Sequence, residues 1–187
     1  MESANAKRSA LLIIDMQVGL LHGPEKPFEA ERVVENINCL IQKARAASVP
    51  VLAVRHTGPQ GSPIEAASAL WHLAPELASD SEQDFIFDKT RPNCFVGTEL
   101  QARLQREGVD ELIVVGMKTQ YCVDTTCRAA ADLGFKVVLV ADAHTCMDTP
   151  VLPAKSIIEH HNATLNGAFA QVLNTAEVSF QAPWYTL

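Results

Sequence analysis

The amino-acid sequence predicts an α/β protein built on an open parallel β-sheet with helices on both faces. Two observations lead to this fold class. Short apolar runs recur along the chain without the apolar–polar alternation of a half-exposed strand, which is typical of strands covered on both faces. Amphipathic stretches of helical length separate these runs, and alternation of strands and helices is the pattern of a parallel sheet with crossover helices.

The predicted strands are apolar runs bounded by polar or turn residues. A weaker candidate at Val178–Phe180 adds a sixth strand to five clear ones. The five clear runs are Ala10–Ile14, Val51–Val54, Phe85–Phe87, Leu112–Val115 and Val137–Val140.

Four helices are predicted between the strands. The first, Glu29–Ala47, carries one apolar stripe formed by Val33, Ile37, Leu40, Ile41 and Ala44. The second begins at a capping Thr98 and runs to Glu107. The last two are Cys122–Leu133, which is rich in alanine, and Pro153–Leu165.

Length and composition limit the class of protein. A chain of 187 residues, 48% hydrophobic and 20% charged, fits one globular domain over residues 1–187 with a core at about 9–180. Lysine and arginine number 15 against 22 acidic residues, a net charge of −7, and no basic run is present, so nucleic acid and anionic membranes are poor partners. The polar N-terminal segment and the short apolar runs predict a cytoplasmic protein without a membrane span.

The five cysteines have two interpretations. An odd number cannot pair fully into disulfides, which favours buried thiols in a reducing compartment. The alternative is that one of the five is a catalytic nucleophile.

Three chemically active side chains follow predicted strands. Asp15 ends the first strand, Lys89 follows the third, and Cys122 stands six residues after Gly116, at the predicted start of a helix. The carboxyl ends of parallel strands meet at one edge of the sheet, where ligands bind. There Asp15 would have a raised pKa and accept a proton, Lys89 would hold negative charge, and the helix dipole would lower the pKa of Cys122.

Each of these residues also has an ordinary structural interpretation. Asp15 would cap a turn, Lys89 would be a solvated loop residue, and Cys122 would be an inert buried thiol. It is their combination at one sheet edge that favours acyl transfer by a cysteine.

The motifs around these positions resemble those of the isochorismatase-like cysteine hydrolase superfamily, over roughly residues 9 to 180. The quoted segments are Ile14-Asp15-Met16-Gln17, Phe95-x-Gly97-Thr98-x-Leu100, Gly116-x-x-Thr119-x-x-Cys122-Val123, Ala129-x-x-Asp132-Leu133-Gly134-Phe135 and Val140-Ala141-Asp142-Ala143. The resemblance implies a three-layer, Rossmann-like sheet of six strands in the order 3-2-1-4-5-6. It also implies a homo-oligomer, dimer or higher, acting on a small molecule.

The resemblance assigns roles to individual residues. Asp15, Lys89 and Cys122 form the implied catalytic triad. A non-proline cis peptide is implied between Met117 and Lys118, and the backbone N–H groups of Lys118 and Cys122 would bind the oxyanion.

No metal and no cofactor are expected. Nicotinamidases of this superfamily carry an Asp-x-His metal motif after the second strand, whereas this chain reads Val54-Arg55-His56 without the aspartate. His56 and His72 alone, without a carboxylate, offer too few ligands for a typical metal site. The first strand leads into Asp15 rather than into the Gly-x-Gly-x-x-Gly turn of dinucleotide-binding proteins.

Candidate pocket residues are less specific, because core packing explains most apolar side chains equally well. Four residues are candidates for the substrate pocket: Gln17, Leu21, Trp71 and Tyr121. Trp184 and Tyr185, in the apolar C-terminal tail, are either an oligomer contact or fold back onto their own subunit.

The favoured hypothesis is a metal-independent hydrolase that cleaves an amide or carbamoyl C–N bond through a covalent thioester. Isochorismatase-type hydrolysis of a vinyl ether is an alternative within the enzymes. A binding or redox-sensing protein that uses Cys122 as a reversible oxidation site is the alternative from another class.

Overall fold

A computed structural model describes residues 8–180, which form one six-stranded sheet and five α-helices. The predicted C-terminal contact of Trp184 and Tyr185 lies outside the described residues. In chain order the elements are β1 (Ser9–Ile14), α1 (Val18–Leu21), α2 (Ala30–Ala46), β2 (Val51–His56), β3 (Phe85–Lys89), α3 (Leu100–Arg106), β4 (Glu111–Met117), α4 (Asp124–Asp132), β5 (Lys136–Thr145), α5 (Ala154–Leu165) and β6 (Gln171–Leu173).

The sheet is parallel throughout and follows the order β3-β2-β1-β4-β5-β6, so the predicted fold class and strand order are confirmed. β1 is central: Ile14 pairs with Val54 of β2 on one side and with Gly116 of β4 on the other. The carboxyl ends of β3, β2, β1 and β4 therefore lie next to one another along a single edge.

β1 explains why the apolar runs do not alternate with polar residues. Leu11 and Ile13 pack into a core beneath α2, whereas Leu12 and Ile14 pack into a second core with α3 and α4, and all four are fully buried. The predicted stripe of α2 faces the first of these cores. Full burial of each such side chain is worth about 1.5–3 kcal/mol, so both faces of the strand stabilise the sheet.

The predicted position of the sixth strand is wrong. β6 is Gln171–Leu173, which pairs with β5, while Val178 is a buried core residue beyond it. The carbonyl of Val178 accepts a hydrogen bond of 3.2 Å from Lys43 Nζ. An edge strand of three residues with an exposed Gln171 has too little apolar pattern to be recognised from the sequence.

Two helix starts also differ from the prediction. α3 begins at Leu100, and the Thr98 hydroxyl accepts a hydrogen bond from the Leu100 N–H while donating to the Cys94 carbonyl. Cys122 does not begin an α-helix: it lies in a π-helical turn, Thr119–Val123, that joins β4 to α4.

Gly116 is required by the close approach of β4 to β1. Its φ is +115°, and a Cβ at this position would lie 2.1 Å from the carbonyl oxygen of Ile14. Glycine is therefore the residue that allows the end of β4 to reach the edge beside Asp15.

Candidate active site

Asp15 is held at the carboxyl end of β1 by backbone hydrogen bonds. Its N–H donates to the Val54 carbonyl at 3.0 Å, and its carbonyl accepts from the Gln17 N–H at 2.8 Å. Its φ of +54° lies in the left-handed region and turns the chain sharply out of the strand. The carboxyl group is thereby buried at the sheet edge, with the residue only 1% exposed.

Lys89 reaches this carboxyl group from β3, two strands away. The residue pairs with His56 of β2 in the sheet register and is 2% exposed. Its Nζ lies 2.8 Å from Asp15 Oδ2 and 3.3 Å from Cys122 Sγ. The ammonium thus bridges the carboxylate and the thiol, and the structure brings all three predicted triad residues together.

Cys122 comes from the π-helical turn after β4 and is 8% exposed. The peptide bond between Met117 and Lys118, just before this turn, is cis. The N–H groups of Tyr121 and Val123 both donate to the Lys118 carbonyl. Among the loop and turn hydrogen bonds of residues 8–180, none uses the backbone N–H of Lys118 or Cys122.

The thiol is protonated at rest, contrary to the prediction of a lowered pKa. Burial, followed by the Asp15 carboxylate, raises the pKa of Cys122 to about 12, and Lys89 opposes this only in part. From the ordinary 9.0, that rise corresponds to about 4 kcal/mol. A helix dipole contributes about 0.3–1 kcal/mol. Desolvation of the thiolate therefore outweighs any helix effect.

Asp15 and Lys89 both bind protons more tightly than they would in water. Burial raises the pKa of Asp15, although the Lys89 charge pulls it down. Burial lowers the pKa of Lys89, but Asp15, followed by Cys94 and Cys122, raises it by more than burial lowers it, so the net shift is upward. The pair therefore consists of a basic carboxylate and an ammonium that stays charged at neutral pH.

His56 completes the cluster, and its donor atoms raise the question of a metal. One potential ligand atom from each of Asp15, His56 and Cys122 lies within 4.8 Å of the others, a set to which Zn²⁺ binds in other proteins. The Lys89 ammonium contacts all three residues at 2.8–3.3 Å. Since a cation of the protein itself stands between these donors, they do not fit a metal while Lys89 is in place. His72 is not part of this group.

The geometry agrees with the result of comparing the chain with known protein families. The family model described as an isochorismatase domain matches residues 9–177, most of the chain. The chain belongs to the isochorismatase family. It is an isochorismatase-family hydrolase.

Individual relatives show how far the similarity extends. A secreted isochorismatase effector of Verticillium dahliae is 29% identical, over 95% of this chain and 93% of its own length. A streptothricin hydrolase of Streptomyces noursei is 35% identical, over 77% of this chain and 52% of its own length. The crystal structure of a cysteine hydrolase from Pseudomonas syringae superposes with a TM-score of 0.84 at 26% identity, covering 95% of this chain and 96% of that one.

Two of the four predicted pocket residues of this isochorismatase-family protein have structural roles. Gln17 is fully buried. Its amide nitrogen donates to the carbonyls of His56 and Trp71, and its amide oxygen accepts from the His56 N–H. Leu21 packs in the core beneath α2. Both side chains are packed inside the protein in this conformation, and their contact with a substrate stays a prediction.

The other two remain available to a ligand. Trp71 is half-buried, stacks under the Arg55 guanidinium at 3.6 Å and donates from its indole N–H to Thr57 Oγ1. Tyr121, next to Cys122 in the chain, is 54% exposed. Both lie on segments that follow strand ends at the active edge.

Sequence reasoning missed a buried chain of polar side chains behind the π-helical turn that carries Cys122. The hydroxyl of Thr119 lies 2.9 Å from His144 Nδ1, and His144 Nε2 lies 2.8 Å from Asn162 Oδ1. Burial lowers the pKa of His144 to about 4, so the ring is neutral. Its Nε2–H donates to Asn162 while Nδ1 accepts from Thr119, which fixes the turn. His144 lies four residues beyond the predicted run Val137–Val140, in the part of β5 that the apolar pattern did not predict, so the sequence offered no clear signal.

The other cysteines are distinguished from Cys122 by their surroundings. Cys94, Cys127 and Cys146 are buried thiols, and Cys39 is exposed on α2. All five are free within the structure. None of the helices in residues 8–180 combines the length and the hydropathy that a transmembrane span requires.

Proposed function

We propose that this isochorismatase-family member is a metal-independent cysteine hydrolase that cleaves an amide or carbamoyl C–N bond of a small molecule. One observation carries the proposal: a buried ammonium, Lys89 Nζ, bridges the Asp15 carboxylate and the Cys122 thiol at 2.8 and 3.3 Å. Nucleophilic cysteine catalysis needs a thiol, a nearby base and a fixed positive charge, and this cluster supplies all three.

The first half of the reaction forms a thioester. As Cys122 Sγ attacks the carbonyl carbon, its proton moves to Asp15, whose raised pKa reduces the cost of that transfer. The Lys89 ammonium stabilises the sulfur while it carries negative charge. When the C–N bond breaks, the leaving nitrogen takes the proton from Asp15, and the acyl group stays on sulfur.

The carbonyl oxygen becomes an oxyanion during this step. We assign the backbone N–H groups of Lys118 and Cys122 to bind it, because they belong to the turn that carries the thiol and because the family resemblance implies this role. Each such donor is worth about 2.7–4 kcal/mol in a preorganised site.

The second half hydrolyses the thioester. Asp15, again a carboxylate, takes a proton from water as the water oxygen attacks the acyl carbon. The C–S bond breaks, the sulfur recovers the proton from Asp15, and the acid product leaves. Asp15 and Cys122 return to their starting protonation states, and the two steps need no metal and no redox partner.

A release assay tests the proposal. Wild-type protein and Cys122→Ala are screened for ammonia and amine release over amides, ureido acids and pyridine carboxamides. Cys39→Ala is the matched control, because this cysteine is exposed and far along the chain from the cluster. We expect release by the wild type and Cys39→Ala and none by Cys122→Ala. Equal turnover by Cys122→Ala would refute the thioester mechanism.

Hydrolysis of a vinyl ether is the second candidate, favoured by the buried Asp15. Burial raises the pKa of Asp15, which suits a carboxyl group that donates a proton to an enol ether carbon. That chemistry needs no thiolate, so Cys122→Ala would retain turnover of such a substrate while Asp15→Asn would lose it. A redox-sensing role is disfavoured, because oxidation-sensitive cysteines have a low pKa and burial raises that of Cys122.

A further inference from the structure

His56 occupies the one contact of the catalytic ammonium that the proposed reaction does not use. The Nζ of Lys89 has three N–H donors and three acceptors around it: Asp15 Oδ2 at 2.8 Å, His56 Nδ1 at 3.2 Å and Cys122 Sγ at 3.3 Å. An ammonium group can only donate. His56 Nδ1 must therefore present its lone pair to Lys89, and the ring proton is confined to Nε2.

The position of the His56 ring is fixed from its own backbone. The His56 N–H donates to Gln17 Oε1 at 2.7 Å, and the His56 carbonyl accepts from Gln17 Nε2 at 3.1 Å. The same amide nitrogen donates to the Trp71 carbonyl at 2.7 Å. A fully buried glutamine thus ties the end of β2 to the end of β1 and to the loop that carries Trp71.

The opposite nitrogen of the ring is accessible to solvent. His56 is half-buried, and within residues 8–180 its Nε2 makes no hydrogen bond and is not fully buried. Burial and the Lys89 charge lower the pKa of His56, which keeps the ring neutral at pH 7. A neutral ring with Nδ1 occupied leaves one outward donor.

We propose that His56 is both a positioning residue for Lys89 and a substrate-binding residue, donating from Nε2–H to an acceptor atom of the substrate next to the scissile bond. The proposal rests on the hydrolase function proposed above. Its positioning half concerns the resting protein and holds independently of which bond is cleaved.

This arrangement defines a class of substrate. A group beside the scissile carbonyl that carries an oxygen or an unprotonated nitrogen acceptor would be bound by the Nε2–H. A cationic group at that place would meet a donor with no lone pair to offer and the ammonium of Lys89 behind it. Amides with a carbonyl or carboxylate substituent are therefore favoured over amides with an ammonium substituent.

Two conservative variants separate the two roles. In His56→Asn the amide oxygen can take the place of Nδ1 and accept from Lys89, but nothing replaces the Nε2–H. In His56→Gln the longer amide can place an N–H near the position of Nε2, but the acceptor for Lys89 is lost. His160→Asn, at an exposed position on α5, is the matched control.

With the best amide from the release screen, kcat and KM are measured separately. We expect His56→Asn to raise KM at least tenfold with kcat within threefold of the wild type, and His56→Gln to lower kcat at least tenfold with KM within threefold. His160→Asn should match the wild type in both. Wild-type kcat and KM in both His56 variants would overturn the proposal, as would equal losses in both parameters for both variants.

Two readouts need no substrate. In a Cys39→Ser background, alkylation of Cys122 by iodoacetamide at pH 9 is followed by mass spectrometry; we expect it to slow at least fivefold in His56→Gln and less than twofold in His56→Asn. A long-range ¹H–¹⁵N spectrum at pH 7, with His56 assigned by its loss in His56→Asn, should show the Nε2–H tautomer.

These readouts separate the two proposals. An Nδ1–H tautomer, or an imidazolium at pH 7, would overturn the role of His56 even if amides are hydrolysed. The expected tautomer and alkylation rates without any amide turnover would leave the positioning role of His56 supported and reject the proposed hydrolase reaction.

Discussion

Removing the Lys89 charge should destabilise the fold as well as abolish catalysis. The Asp15–Lys89 pair is almost completely buried, with side-chain exposures of 2% and 0%, and its atoms are 2.8 Å apart. Lys89→Met keeps most of the side-chain volume but leaves a buried carboxylate without its counterion. Breaking a buried pair in this way costs about 3–5 kcal/mol. For a domain of this size that predicts a fall in Tm of about 6–20 °C.

The double variant Asp15→Asn/Lys89→Met supplies the matched comparison. Asp15→Asn alone leaves a buried ammonium unpaired and should cost a similar amount, whereas the double variant buries neither charge. We therefore expect the double variant to be more stable than either single variant, a coupling that a double-mutant cycle measures directly. Such coupling between contacting residues typically amounts to about 0.5–3 kcal/mol.

Urea unfolding at pH 7 and pH 5 is the assay, with the slope of the transition checked for constancy. In Lys89→Met the pKa of Asp15 rises further, because burial still raises it and the opposing ammonium is gone. A carboxyl group with a raised pKa stabilises the folded state most when protonated, so this variant should recover stability from pH 7 to pH 5. A loss below 1 kcal/mol in Lys89→Met, or strict additivity in the double variant, would refute the reasoning.

Three further outcomes follow from the structure. Burial and then Asp15 raise the pKa of Cys122 to about 12, so its alkylation by iodoacetamide should accelerate about tenfold per pH unit from pH 7 to 9 without a plateau. Asp15→Asn should shift that rate profile to lower pH. A plateau below pH 9 in the wild type would contradict this prediction. Gly116→Ala should unfold at lower urea, since its Cβ would lie 2.1 Å from the Ile14 carbonyl oxygen, and an unchanged midpoint would show that the strands can separate. Burial lowers the pKa of His144 to about 4, so stability should fall by about 3 kcal/mol between pH 6.5 and pH 4, a loss absent from His144→Gln in the same titration.

The sheet was predictable because its residues report their surroundings locally. Leu11 to Ile14 are apolar at every position, and a strand with two covered faces requires such a run. β6 was misplaced for the converse reason: an edge strand of three residues buries too little to leave a pattern. The meeting of Asp15, Lys89 and Cys122 was predictable because each stands where a strand ends or a turn begins.

The electrostatics of the site could not be predicted in the same way. The pKa of Cys122 depends on its burial and on a carboxyl group 107 positions earlier in the chain, as the numbering of Asp15 and Cys122 shows. The sequence did not indicate that the Gln17 amide bonds to the backbone of His56 and Trp71. Side-chain direction after a left-handed residue is set by contacts that the sequence does not display.

The sequence by itself therefore determined the fold class, the order of the strands through the family resemblance, and which thiol, carboxyl group and amine meet at the active edge. Only the tertiary structure decided that burial and Asp15 raise the pKa of the Cys122 thiol, that Lys89 stands among three acceptors, and that burial lowers the pKa values of His56 and His144. The physical reason is that apolar patterning is a property of consecutive residues, whereas proton affinity is set by desolvation and by charges within a few ångströms that come from distant parts of the chain.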